Sequence, residues 1–308
     1  MGLLRLCSLV LAAAALIAQA PIRVDVHLIN VSFSARDSRG LLVPNLTGDD
    51  FEVFEDGAPQ KIAFFARTTD IPMTLGLVAD VSGSQEHFIK QHHHDLEKFL
   101  KTTLGVRDRA FLVCFGNHLR LVSDYSDSPR DLTDALYDFE KDRREFPELG
   151  PRERRILGTA FYDAIVYPIT ERLSSVEEGS RALIVFSDGE DNSSAHHMLD
   201  AIEAAQSADV RIFAIRYTEI DHHGLNARNK YGMSVMHRLA RETGGADFDA
   251  NEKDLASHFR EIGEDLRSSY ELAYHTSNPT SDESFRKIVI RPKQPGLTVR
   301  AKTGYYAH

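Results

Sequence analysis

The stretch MTLGLVADVSGSQEHF, Met73 to Phe88, runs from an apolar segment into one carboxylate, two hydroxyls at alternate positions and the opening of a helical pattern. A run that stays apolar on both faces reads as a strand buried on both sides, which is the signature of a parallel sheet covered by helices. The same rhythm repeats downstream. Strand patterns fall at Thr74 to Ala79, Ala110 to Phe115, Leu119 to Val122, Ala182 to Phe186, Val210 to Ile215 and Ala246 to Phe248. Between and after them lie amphipathic helix patterns at about Glu86 to Thr103, Pro129 to Phe139, Ala160 to Leu173, Ala195 to Ser207, Met233 to Thr243 and Lys253 to Ser268. This order predicts an α/β fold with a doubly wound, mainly parallel sheet.

Outside that region the periodicity changes to two. Four short strands are expected between Ile22 and Ala66, with turns at Asp37 to Gly40 and at Asp56-Gly57. Three more are expected in YELAYHTS, FRKIVIRPK and LTVRAKTGYY after Ser269. Neither set can enclose a core alone, so the expectation is an accessory β-sandwich built from both termini, with the α/β region inserted between. The implied division is a signal peptide or N-terminal anchor at residues 1–20 and an N-terminal β segment at 21–70. An α/β domain at 71–268 and a C-terminal β segment at 269–308, packing with 21–70, complete it.

At 308 residues, with 42% hydrophobic and 27% charged residues, the chain has room for one large domain or two smaller ones and no sign of general disorder. The net charge of −10 argues against a nucleic-acid partner, whose phosphates need a basic surface. The basic residues between Phe285 and Thr303 alternate with apolar ones and read as the solvated face of strands. The N-terminus has Arg5, an apolar core from Leu6 to Ala18 and the triplet Ala18-Gln19-Ala20, the layout of a secretory signal too short for a comfortable membrane span. A secreted or periplasmic, cell-envelope location follows as an expectation. No membrane span is expected in the mature chain unless that segment is retained. Cys7 lies inside the signal, and Cys114 in RAFLVCFG reads as a buried, inert thiol.

Asp80 stands at the carboxyl end of a strand, where ligands of open α/β sheets bind, and Ser82 and Ser84 follow it. ILGTAFYDA offers Thr159 before a helix, and ALIVFSDGEDNS offers Asp188 after a strand. Two carboxylates and three hydroxyls are hard oxygen donors suited to Mg²⁺, or to Mn²⁺ or Ca²⁺, and not to zinc. Two aspartates only balance a divalent charge, which leaves the ion electrophilic toward an outside carboxylate. Each feature alone is more often a helix cap or a turn. Three of them at strand ends of one α/β pattern favour a metal site.

DVSGS, Gly158-Thr159 and SDGED resemble the metal-ion-dependent adhesion site of von Willebrand factor type A domains, whose Rossmann-like fold matches the element order from Met73 to Ser268. The resemblance implies that Ser82 and Ser84 bind the metal directly, Thr159 directly or through water, and Asp80 and Asp188 mostly through water. LTGDDFEVFEDGAPQKIAFF, ETGGADFDA and the C-terminal strands look like a bacterial group of secreted proteins with related domains, which brings no activity with it. The resemblance also implies a last helix, KDLASHFREIGEDLRS, that shifts when a ligand carboxylate completes the coordination. A plain packing helix is the simpler reading.

The expected function is a metal-dependent, adhesion-type protein-binding module that captures an Asp or Glu of a partner protein. The alternatives are a metal-dependent hydrolase and an envelope scaffold with a non-catalytic metal. The hydrolase reading has no Gly-x-Ser-x-Gly elbow, no phosphate-binding Walker loop and no obvious base in its support. His92, His93 and His94 point about 100° apart on a helix and cannot share a metal; they read as surface, as do His196-His197 and His222-His223. The charged segment FEKDRREFPELGPRERRIL reads as a solvated loop or as a rim beside Thr159 that helps select the partner.

Overall fold

The computed structural model describes residues 28–151, 158–218, 224–252, 254–278 and 280–307. The expected signal or anchor, His222, His223 and residues 152–157 of the charged loop lie outside the described residues.

The chain begins with β1 (Leu28–Arg36), β2 (Phe51–Glu55), β3 (Ala58–Gln60) and β4 (Ile62–Thr69). The α/β region follows: β5 (Met73–Asp80), α1 (Ile89–Thr103), β6 (Arg109–Phe115), β7 (Leu119–Ser126), α2 (Pro129–Glu140) and α3 (Asp163–Pro168). It continues through β8 (Ser180–Ser187), α4 (Met198–Ser207), β9 (Val210–Arg216), α5 (Ala227–Glu242), β10 (Asp247–Asp249) and α6 (Leu255–Arg267). β11 (Ser268–His275), β12 (Phe285–Pro292), β13 (Thr298–Ala301) and β14 (Gly304–Tyr306) close the chain.

The central sheet has six strands in the order β10-β9-β8-β5-β6-β7, all parallel except the β6–β7 pair. Alternation decides which face each residue covers. Leu75, Leu77, Ala182 and Ile184 pack with Leu96, Phe99, Phe259 and Ile262 of α1 and α6. Val78, Val113, Leu183 and Val185 pack with Ile165, Ala201 and Leu239 of α3, α4 and α5 on the other side. Both faces are therefore dry, which is why these strands read as unbroken apolar runs. Cys114 belongs to the first face, and burial pushes its thiol up from its ordinary value.

Two four-stranded sheets, β13-β1-β11-β4 and β14-β12-β2-β3, each combine strands from before and after the α/β region. Val31, Phe33, Phe51, Val53, Tyr270, Leu272 and Ile288 fill the space between them, with Phe33 and Tyr270 stacked at 5.4 Å. β11 lies between β1 and β4 as their shared partner. A chain ending at Ser268 would leave both without it, and trypsin cleavage within residues 28–69 is then expected to outpace that of the full chain. Equal rates would mean that β1 to β4 hold together unaided.

Four helices start elsewhere than their periodicity indicates: α1 at Ile89 rather than Glu86, after a 3-10 turn over Gly83–Phe88, α3 at Asp163 rather than Ala160, and α4 and α5. α4 begins at Met198 rather than Ala195, because buried Asp163 takes the backbone N–H groups of Ala195 and His196, both at 3.0 Å, and holds them out of the helix. α5 starts at Ala227 rather than Met233, because the Asn226 side chain caps it by accepting from Asn229 N at 2.8 Å.

Packing corrects two surface readings, His92 and part of the basic C-terminal stretch, and gives a partner to a third residue, His196, which stays partly exposed. His92 is 3% exposed, with its ring edge-on to Tyr217 at 4.1 Å. His196 bonds Asp163 through Nδ1 at 2.7 Å. In the basic C-terminal stretch, Arg286 is buried and pairs with Asp282, while Arg300 pairs with Asp265. These charged side chains turn inward because each meets an acid, Asp282 four residues before Arg286 and Asp265 35 residues before Arg300.

Candidate functional site

In the central sheet the strand order reverses beside β5, so the crevice at the carboxyl ends of β5 and β8 is the topological switch point where such folds receive ligands. Asp80 ends β5 and Asp188 follows β8. Asp80 is fully buried: its Oδ1 accepts from Ser82 N at 3.0 Å and its Oδ2 from Ser187 Oγ at 2.6 Å. Ser82 Oγ and Ser84 Oγ lie 3.2 Å apart as a hydrogen-bonded pair. Asp188 is 4% exposed, with Oδ2 accepting from Gln85 Nε2 at 2.7 Å and Oδ1 from Glu190 N at 3.0 Å. The Gln85 bond ties the first loop to the third.

Thr159 comes in through backbone contacts. Its N donates to Asn192 Oδ1 at 2.7 Å, and its carbonyl accepts from Asn192 N and Ser193 N at 3.1 and 3.2 Å. Phe115 O accepts Val81 N at 2.8 Å and Gly116 O accepts Ala160 N at 2.8 Å, so the end of β6 joins the Ser82 and Thr159 loops. Gly158 has φ +129°, and a Cβ there would lie 2.6 Å from Asn192 Oδ1; only glycine permits this approach. The structure thus brings all three loops together. Asp80 is tied to the Ser82 main chain, Ser82 to Ser84 by their hydroxyls, Asp188 to the first loop through Gln85, and Thr159 to Asn192 and Ser193 by its main chain.

Electrostatics mark the site further. Burial first, and the charge of Asp188 second, push the Asp80 carboxyl up to about 7, against hydrogen bonds from Ser187 and Ser82. Among the described residues no Lys, Arg or His pairs with Asp80 or Asp188. Neighbouring buried oxygens, Gln85 Oε1, Ser193 Oγ and Thr218 Oγ1, have no hydrogen-bond partner there. Two buried like charges without a cation are costly, and carboxylates retain lone pairs beyond the bonds they accept here. The donor set fits a hard divalent cation: two acids, three hydroxyls and no sulfur. Among the described residues no group of three or more His, Cys, Asp and Glu side chains converges as a metal cluster.

Sequence reasoning did not single out Ser187, Gln85, Asn192 or Gly232. Ser187 and Asn192 stand within SDGEDNS and Gln85 directly after DVSGS, so proximity was their signal. Gly232 had none. It lies on α5, where an added Cβ would come within 2.2 Å of Asp188 O. Gly232→Ala must move either α5 or the loop that carries Asp188, and any cation affinity of the site is expected to drop by about 10–100-fold, as when supporting residues of metal ligands are changed. Titration calorimetry with Mg²⁺ measures this; an unchanged affinity in a folded variant would show that the loop absorbs the methyl elsewhere.

Beside these loops Arg120, Phe139, Asp142, Arg144 and Glu148 line an open cavity of about 560 Å³. Glu148 bonds His118 Nδ1 at 2.6 Å and Arg120 at 3.4 Å, so part of the charged segment is an ordered rim.

No protein-family model matches the chain, and no curated protein sequence matches it. Several solved structures are similar to it. The conserved hypothetical protein BatB from Bacteroides thetaiotaomicron has 14% identity and a TM-score of 0.46, over 62% of this chain and 97% of that one. Proximal thread matrix protein 1 from the mussel byssus has 16% identity and a TM-score of 0.49, over 69% of this chain and 51% of that one. The manganese-loaded TRAP protein of Plasmodium vivax has 14% identity and a TM-score of 0.44, over 78% of this chain and 97% of that one.

Proposed function

We propose that this chain is a protein-binding module of the von Willebrand factor type A kind, which captures an Asp or Glu of a partner protein through a divalent cation, Mg²⁺ or else Mn²⁺ or Ca²⁺. The observation that carries the reading is a pair of buried carboxylates, Asp80 and Asp188, at the switch point of a parallel sheet with no described cationic side chain paired to either. Asp80 and Asp188 would supply the negative charge and Ser82, Ser84 and Thr159 neutral oxygens. When bound, the cation supplies an electrophilic position for an outside carboxylate. Ser187 and Gln85 hold the two acids in place, and the rim around Glu148 and Arg120 borders the position where a partner would sit.

The chain does no covalent chemistry in this reading. Ser82 and Ser84, hydrogen-bonded to each other, serve in it as neutral oxygens and not as nucleophiles. A secreted or envelope location is part of the proposal and rests on residues 1–20. No helix among the described residues is long and apolar enough to cross a membrane.

The test is a pull-down from an extract of the envelope fraction in Mg²⁺ and in chelator, with the parent chain and Asp80→Ala side by side. Partners retained by the parent in Mg²⁺ alone are expected. Retention that is indifferent to chelator and to the substitution, or turnover of simple ester or phosphoester substrates, would remove the reading.

A further inference from the structure

At the other end of the sheet, where β8 and β9 begin, a cavity of about 220 Å³ lies between the α/β layer and the sandwich. Arg181, Arg211 and Asp209 line it from the α/β side, and Lys302, Ser32, Thr68 and Ser269 from the sandwich side. Arg211 sets it apart. The side chain is 7% exposed, makes no hydrogen bond or ion pair among the described residues, and leaves Nη1 buried without a partner. The nearby acids are engaged elsewhere. Asp209 faces Lys302 Nζ at 3.3 Å and Arg181 at 4.0 Å, and Asp265 is held by Arg36 and Arg300. The hydroxyls of Ser32, Thr68 and Ser269 likewise make no hydrogen bond among the described residues.

We propose that this cavity is a binding site for a small tetrahedral oxyanion of the phosphate class, gripped by the Arg211 guanidinium. A buried guanidinium without an anion is costly, and its planar fork matches phosphate oxygens two at a time. Lys302 and Arg181 add positive charge at the walls, and three idle hydroxyls offer further donors. With Asp209 and the exposed Glu271 counted against Arg181, Arg211 and Lys302, the lining carries a net charge of +1. A volume of about 220 Å³ exceeds what inorganic phosphate needs and admits a small phosphomonoester. The site sits where the two layers meet, away from Asp80, and does not depend on the cation reading.

The experiment is titration calorimetry and thermal unfolding of the full chain with inorganic phosphate, sulfate and glycerol phosphate, in chelator and at low ionic strength. Saturable binding of phosphate, with a rise in melting temperature, is expected. Arg211→Met should weaken it by about tenfold or more, and should melt no lower than the parent without anion, because an unpaired buried charge has gone. Tighter binding of glycerol phosphate than of phosphate would assign the site to a phosphomonoester, and the reverse to the free ion. Should Arg211→Met fail to fold, Lys302→Gln at the wall is expected to weaken binding by about two- to fivefold. No binding of any of the three anions up to about 20 mM, or binding unchanged in both variants, would overturn the proposal and leave Arg211 hydrated by internal water.

Discussion

Asp265→Ala is expected to lower the unfolding free energy by about 3–5 kcal/mol, as when one member of a buried ion pair is removed. Asp265 lies on α6 and is 1% exposed. Its Oδ1 accepts from Arg36 Nε at 3.0 Å and Nη2 at 2.7 Å, and its Oδ2 from Arg300 Nη1 at 2.8 Å. Those arginines come from β1 and the β13 strand of the sandwich, so a single carboxylate joins the two layers. Without it Arg36, 5% exposed, would stay buried with Glu261 and Glu264 at 3.9 and 3.5 Å as its remaining acids. Urea unfolding measures the effect. A loss under about 1 kcal/mol would mean that Glu261, already 2.6 Å from Arg300, takes over.

The same variant examines the last helix. α6 runs without a break into β11, the strand shared by β1 and β4, and Arg267 anchors its end to Thr103 O and Asp108, both at 2.6 Å. With α6 tied down by Asp265 and Arg267 we expect it to act as a packing element, so that cation affinity in folded Asp265→Ala stays within about a factor of two of the parent. A change of about 5–150-fold, the usual range for coupled sites, would favour the mobile helix implied by the family resemblance.

The second large effect concerns the cation itself. Saturating Mg²⁺, at about 100 times its dissociation constant, is expected to stabilise the parent by about 2.7 kcal/mol and Asp188→Asn not at all. In chelator the order should invert, with the variant at least as stable as the parent. The substitution keeps the shape and the acceptor for Glu190 N, lets the idle Gln85 Oε1 accept from the new amide once Gln85 turns over, and removes one of two like charges buried together. Thermal unfolding with and without Mg²⁺ reads both arms. Equal stabilisation of parent and variant would show that any cation they share binds elsewhere.

Much of the architecture was written in local periodicity. The apolar run before Asp80 is buried on both faces because each of its residues meets a helix layer, and that two-sided demand leaves its mark on every residue of the strand. The same holds for the terminal strands, whose alternation announced a half-buried sheet. Asp80, Ser82 and Ser84 were legible as neighbours because they share one turn, and Asp188 because an acid follows a strand of the same pattern. Their support was less legible: Gln85 reaches Asp188 across 103 positions, and Ser187 reaches Asp80 across 107.

What only the tertiary structure decided are pairings between groups far apart in the chain, for which local pattern holds no information. His92 looked like one of three surface histidines, yet the helix turns it toward Tyr217, and no hydropathy scale ranks that ring above its neighbours. Arg36 and Asp265 are 229 positions apart, and each alone reads as an ordinary surface charge. Arg211 is one basic residue in VRIFAIR, ordinary by composition; only its burial without a partner among the described residues singles it out. Periodicity records which face of an element is dry, because burial acts on every second or every third to fourth residue. Which charge meets which depends on how finished elements dock, and docking leaves no repeat in the sequence to read.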